Sequence, residues 1–351
     1  MPAEGEMNGH QRITAALEGR WTGRRPVMLH NFMMAAREAG LGFPEFRSSP
    51  VKAAAAFIGA AERYGADGVL IDFDTATLAA ACGANIDQPE DGPARVVGPA
   101  FADLTEAAGA EVPKLEEDPG VQAWLETCRI VKRHFGDEKY VRGNCDQAPF
   151  SLAVLLRGAE SWFADLLTGC DAECDVLLRY CTQVCHRFME LMAATGVDML
   201  SNGDSLAGPE LIGEDMYRRF ALPYEQQLAQ RAHRLGKPWI LHICGNTAPI
   251  LAAMTESGAD GLELDYKTSI ATVHAHLSQK MLFIGNIDPS GVLALGTPEH
   301  VRDMTERLLT IYRDSPRLVV NAGCALPPLT PAENIRALIR EVHRFGSGPV
   351  D

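Results

Sequence analysis

Two hydrophobic periods alternate along the chain. Short apolar runs bounded by Gly, Pro, Asn or Asp recur, and most are separated by longer stretches whose apolar positions repeat at three and four. The runs predict eight strands, at 26–31, 68–74, 140–145, 198–203, 239–244, 261–265, 282–287 and 318–323. Helical stretches fall at 51–64, closed by Gly65-Ala66-Asp67, and at 121–135, 159–167 and 174–195. The stretch 209–235 is helical with a break at Pro223, which has no amide N–H to give. Helices at 247–257 and 269–277 follow. Thr297-Pro298 reads as the cap and first residue of a helix through Tyr312. Thr330-Pro331-Ala332-Glu333 reads as a capping box opening the last helix, to about Phe345.

Eight strand–helix units with no G-x-G-x-x-G after the first strand predict a (β/α)8 TIM barrel in the α/β class, with a doubly wound sheet as the alternative. The chain divides into an N-terminal tail and helix at 1–22 and a single barrel domain at 23–351. The stretch 83–119, rich in Pro, Gly and acid, breaks the pattern. It is read as an insertion with a hairpin strand at Arg95-Val96-Val97.

Composition narrows the class. The chain has 351 residues, is 46% hydrophobic and carries a net charge of −14. That balance argues against nucleic acid or an anionic membrane as the main partner. No apolar run reaches the roughly 18 residues needed to span a bilayer, and Met1–His10 has no apolar signal segment. The nine cysteines show no regular spacing and sit mostly in apolar or helical stretches, which predicts a reducing cytoplasm.

The candidate chemistry lies where the strands end. Nearly every one finishes in a polar group: His30-Asn31, Asp72 and Asp74, Asn144, Asn202 and Asp204, His242 and Cys244, Asp265, Asn286, and Asn321 with Cys324. In a barrel these ends converge on one mouth, where the active sites of this fold sit. His242 and Cys244 share a face by alternation, and Cys324 ends the eighth strand. One imidazole and two thiolates suit zinc and leave a fourth tetrahedral position open. Asp265 is the candidate for a labile fourth ligand, and a turn-capping carboxylate is its equal alternative. Asp74, Asp204 and Asp265 are the candidate catalytic carboxylates. His30, Asn31, Met33, Asn144, Asn202 and Asn286 are the candidate substrate contacts. Phe32, Met33, Met34, Phe73 and Phe150 predict apolar walls.

Several stretches resemble the uroporphyrinogen decarboxylase superfamily: Arg25-Pro26-Val27, Phe43-Pro44-Glu45-Phe46-Arg47, Ala148-Pro149-Phe150-Ser151-Leu152-Ala153, Phe220-Ala221-Leu222-Pro223-Tyr224, Gly285-Asn286-Ile287-Asp288-Pro289 and Asn321-Ala322-Gly323-Cys324. Together they run from about Arg24 to the C-terminus. Within that superfamily His242-Ile243-Cys244-Gly245 and Cys324 resemble the cobamide-dependent methyltransferase branch. This resemblance implies zinc on those three residues. It also implies methyl transfer between a small organic donor (a methoxylated aromatic is one option) or a thiol and the cobalt of a corrinoid. The chain has no D-x-H-x-x-G corrinoid module, so a separate corrinoid protein is the expected partner, with a homodimer left open.

The decarboxylases themselves carry an M-R-Q-A-G-R segment after the first strand, a tyrosine after A-P-F-T-L-A and N-x-G-H at the last strand. Here those places hold Phe32-Met33-Met34-Ala35-Ala36-Arg37, Leu155 and Cys324, and only Asp74 keeps its match. Porphyrinogen decarboxylation is therefore the disfavoured alternative. A non-catalytic barrel with structural zinc is the third reading.

Overall fold

The computed structural model describes residues 7–346; the predicted loose tail at 1–10 lies partly outside them. Among the described residues ten strands form: β1 (Met28–Leu29), β2 (Gly68–Ile71), β3 (Asn85–Asp87), β4 (Arg95–Gly98), β5 (Tyr140–Gln147), β6 (Met199–Gly203), β7 (Trp239–Ile243), β8 (Gly261–Leu264), β9 (Leu282–Ile287) and β10 (Leu318–Ala322). Eight of them run parallel in the order β1-β2-β5-β6-β7-β8-β9-β10. Val27 bridges Val320 in parallel, and the Val320 amide donates to the Pro26 carbonyl at 2.8 Å, which closes the barrel. The fold is a (β/α)8 barrel. β3 and β4 pair only with each other, as an antiparallel hairpin inside the 83–119 insertion.

Local chemistry explains where the elements depart from the hydrophobic pattern. β1 is shorter than 26–31 because the His30 amide donates to the Asn321 side chain at 2.9 Å instead of to a ladder carbonyl. β5 runs on to Gln147 through an irregular register, with Asp146 at φ 59°, a region Asp tolerates better than most residues. Pro223 splits 209–235 into Glu214–Phe220 and Leu222–Arg234. The 247–257 helix shrinks to Leu251–Met254, because Thr247 bonds Thr268 through both its amide and its hydroxyl, at 2.8 and 2.9 Å. Thr297 caps its helix by accepting from the His300 amide. The capping box at Thr330 does not form. Its hydroxyl donates to the Pro327 carbonyl at 2.8 Å, and the helix Ala332–Phe345 starts without a side-chain cap. The helix Pro149–Arg157 escapes the amphipathic pattern because it is buried on nearly every side.

The barrel interior is layered. At the N-terminal end Met28, Leu70, Tyr140, Met199, Ile240, Leu282 and Val319 form an apolar plug, and the helix Gly9–Leu17 packs Ile13 and Ala16 against it. Burying Ile13 completely stabilises the floor by roughly 1.5–3 kcal/mol. One pleat further along, the interior turns polar and charged: His30, Asp72, Arg142, His242, Glu263 and Asn321. No described helix is long and apolar enough to cross a membrane.

Candidate active site

A cavity of about 420 Å³ opens at the C-terminal ends of the strands, directly above the charged layer. Phe32, Met33, Leu70, Leu155 and Leu206 supply apolar wall. Asp72, Asp74, Arg142, Asn144, Gln147 and Ser205 supply polar wall. His242, Cys244 and Cys324 lie together on one side.

The three donor atoms of that cluster all fall within 4.8 Å of one another. His242 Nε2 is 3.0 Å from Cys244 Sγ, and Cys244 Sγ is 3.4 Å from Cys324 Sγ. Tetrahedral zinc with ordinary bond lengths holds an N and an S about 3.6 Å apart and two S atoms about 3.8 Å apart. The two measured pairs each fall about half an ångström short of that spacing. The His242 Nδ1–H donates to the Glu263 carbonyl at 3.1 Å, so Nε2 is the ring nitrogen that faces the thiols. Backbone geometry brings the cluster together. Gly245 takes φ 82° just after Cys244, and its amide donates to Asp265 Oδ2 at 2.9 Å. A Cβ on Gly323 would stand 2.6 Å from the Tyr266 amide nitrogen, so only glycine lets the Cys324 loop lie this close to the end of β8.

Charge in the cluster is uneven. The Cys324 thiol, donating to Cys244, holds the Cys244 pKa down to about 3 against burial, and His242 adds to the effect. Cys324 is pushed well above the ordinary thiol value by that same bond and by burial. Burial pulls His242 down, but the Cys244 charge and hydrogen bond outweigh it and carry the imidazole to about 9. Both shifts favour a negative Cys244 sulfur beside a protonated His242.

The charged layer forms a continuous network below. His30 Nε2 lies 2.7 Å from Asp72 Oδ2. Arg142 Nη2 lies 2.5 Å from Glu263 Oε2, and Arg142 Nε donates to Ser201 Oγ at 2.8 Å. Asn321 Nδ2 donates to Glu263 Oε1 at 2.9 Å. Burial alone would raise the Glu263 pKa, but Arg142, His242 and His30 together bring it below the usual value.

The sequence-predicted residues divide. His30, Met33, Asp74 and Asn144 line the cavity with the three metal-type donors. Asp74 accepts from the Ala76 and Thr77 amides through Oδ1 and from Arg47 through Oδ2, so both of its oxygens are engaged. Asp265 accepts from the Gly245 and Lys267 amides and caps the loop that carries Cys244. Asp204 sits behind the wall, accepting from the Ser151 amide at 2.7 Å, and burial pushes its carboxyl up to about 6. Asn202 pins β5 to β7, donating to the Cys145 carbonyl and accepting from the Trp239 indole. Asn286 donates to the carbonyls of Asp265 and Thr268. Asn31 lies at the start of the helix Phe32–Glu38, outside the cavity. Sequence reasoning missed Arg142, Gln147 and Ser205. The signal for Arg142 was its spacing, two residues before Asn144 in the same strand and therefore on the same face.

The chain is a closed (β/α)8 barrel with an His–Cys–Cys cluster at its mouth whose three donor atoms are close enough to share an ion. Residues 8–345 match the uroporphyrinogen decarboxylase (URO-D) family, and the chain belongs to it. A methylcobamide:CoM methyltransferase, MtbA, of Methanosarcina acetivorans is 31% identical over 215 residues, a stretch covering 61% of this chain and 61% of that protein. A methylcobamide:CoM methyltransferase, MtaA, of Methanosarcina barkeri is 26% identical over 93% of this chain and 95% of its own. A uroporphyrinogen decarboxylase of Pelobacter propionicus is 25% identical over 95% and 98%. Among solved structures, a methyltransferase from Methanosarcina mazei superposes with a TM-score of 0.88 at 24% identity, covering 97% of this chain and 99% of that one, which establishes the shared fold.

Proposed function

We propose that this chain is a zinc-dependent methyltransferase, moving a methyl group between a small organic methyl donor or a thiol and the cobalt of a corrinoid carried by a partner protein. The observation that carries the reading is the convergence of His242, Cys244 and Cys324 on one wall of the barrel-mouth cavity. Methyltransferases named for methylcobamide among the relatives support the corrinoid. Zinc on these donors would supply a Lewis acid that lowers the pKa of a bound thiol or polarises an ether oxygen.

The chain's own residues do the rest. His242 would bind through Nε2 while the Glu263 carbonyl fixes its tautomer and ring plane. Cys244 presents a preformed thiolate, and its amide is tied to Ser205 Oγ at 3.1 Å, which fixes the loop. Cys324 gives up its proton when an ion is held. Phe32, Met33 and Leu155 keep bulk water from one side of the reacting methyl group. We assign the whole of 9–345 to this one unit, with the helix Gly9–Leu17 as the barrel floor. Porphyrinogen decarboxylation is less well supported: Leu155 and Cys324, where the resemblance implies a tyrosine and a histidine, both face the cavity.

The test is metal analysis with zinc-edge X-ray absorption on the protein and on Cys324→Ala. The reading expects about one zinc per chain with one nitrogen and two sulfur ligands from protein, and one sulfur fewer in the variant. Absence of zinc, or a spectrum unchanged by the substitution, overturns it.

A further inference from the structure

The cavity also carries a charge balance that bears on what can enter it. Resting on the methyltransferase reading above, we infer that the cavity admits a small uncharged molecule bearing an acceptor oxygen and turns away one with a fixed negative charge.

Three carboxylates line the space: Asp72, Asp74 and Glu263. Arg142 is the one guanidinium among the lining residues, and it is committed to Glu263 at 2.5 Å. The nearby Arg47 is held by Asp74 at 2.6 Å, and its remaining contact is the Thr77 hydroxyl. His30 is held by Asp72 at 2.7 Å. Among the described residues, Arg142, Arg47 and His30 are thus each matched by a carboxylate. A sulfonate or carboxylate tail would leave water to sit among like charges with no cation of its own, in a setting that screens poorly.

The wall is not short of donors for a neutral guest. Arg142 Nη1 is buried and has no hydrogen-bond partner. A buried guanidinium N–H without an acceptor is costly, and an ether, hydroxyl or carbonyl oxygen satisfies it without adding charge. The apolar side formed by Phe32, Met33 and Leu155 suits the hydrocarbon part of the same molecule. The substrate class is a small neutral oxygen-bearing organic molecule, with its oxygen directed at Arg142.

Two pairs of probes test this by titration calorimetry on the full chain. The zinc-loaded protein receives 2-mercaptoethanol and 2-mercaptoethanesulfonate, with zinc-edge spectra recorded for both. The metal-free protein receives 2-methoxyphenol and 2-methoxybenzoate. The neutral member of each pair should bind at least about tenfold tighter, and Asp72→Asn should narrow the gap several-fold. Equal or tighter binding by the charged member of either pair overturns the inference, as does failure of all four to bind. If the thiols add no sulfur to the spectrum while the methoxy pair still separates by charge, the zinc reading falls and the charge selection stands.

Discussion

Removing Arg142 alone should destabilise the barrel severely, and removing it together with its partner should not. Arg142 and Glu263 have side chains only 2% and 1% exposed and meet at 2.5 Å. Deleting one member of such a buried pair strands the other charge, at a cost of roughly 3–5 kcal/mol. Arg142→Met keeps most of the stem packing, so the loss is electrostatic. Unfolding entropy near 2.1 cal/mol/K per residue, over 351 residues, is roughly 0.7 kcal/mol/K. The melting midpoint of the metal-free protein should therefore fall by about 4–7 °C. Circular-dichroism melts of the wild type, Arg142→Met, Glu263→Gln and the double variant form the cycle. The double variant should regain at least half of the Arg142→Met loss, because no full charge is left stranded. A single-variant loss under about 1 kcal/mol, or strictly additive losses, would refute the claim that the pair is buried and mutually dependent.

Two other perturbations read separate parts of the structure. Burial, and then the Asp74 charge, raise the Asp146 carboxyl well above its ordinary value. The folded state therefore keeps a proton that the unfolded chain releases above about pH 4. Stability from this group is fully present below that pH and is lost as pH rises through the folded value. Asp146→Asn tolerates φ 59° and can still accept from the Leu78 amide. It should raise the melting midpoint by about 1–3 °C at pH 8 and by less at pH 5, and calorimetry showing the reverse order would refute the assignment. Ser205→Ala removes the acceptor for the Cys244 amide and should weaken zinc binding roughly ten- to hundredfold without altering the far-ultraviolet spectrum. Competition with a chromophoric chelator measures it, and an unchanged affinity would show that the loop holds Cys244 without the serine.

The eight barrel strands were legible because each is an apolar run closed by turn residues, and strand burial depends on little else. The helices were legible where one face is apolar, as at Pro119–Phe135, and hidden where burial is all-round, as at Pro149–Arg157. Period-2 alternation placed His242 and Cys244 on one face, and the closed barrel brings Cys324 to them across 80 residues. Polar strand ends were a poorer guide. Asn202, Asn286 and Asp265 spend their side chains on neighbouring backbone groups, while Asn144 and His30 face the cavity. Both uses call for a short polar residue at the same place, so residue type does not separate them. Arg142 went unread because it lies in mid-strand, where a charge makes sense only once Glu263 is known to face it across the interior.

The seam between β1 and β10 has a consequence for assembly. Asn321 takes the His30 amide through Oδ1 and reaches Glu263 through Nδ2, so one side chain joins the first strand, the last strand and the backbone neighbour of the His242 ring. Chain segments 291 residues apart must meet before the mouth has its shape. All three donors lie on β7 to β10 and the loops that follow them, so the cluster spans half of the ring, and the Asn321 side chain is what ties that half to the first strand. An ion held by those donors would clasp β7 to the end of β10, so its free concentration would set how often that half of the ring loosens.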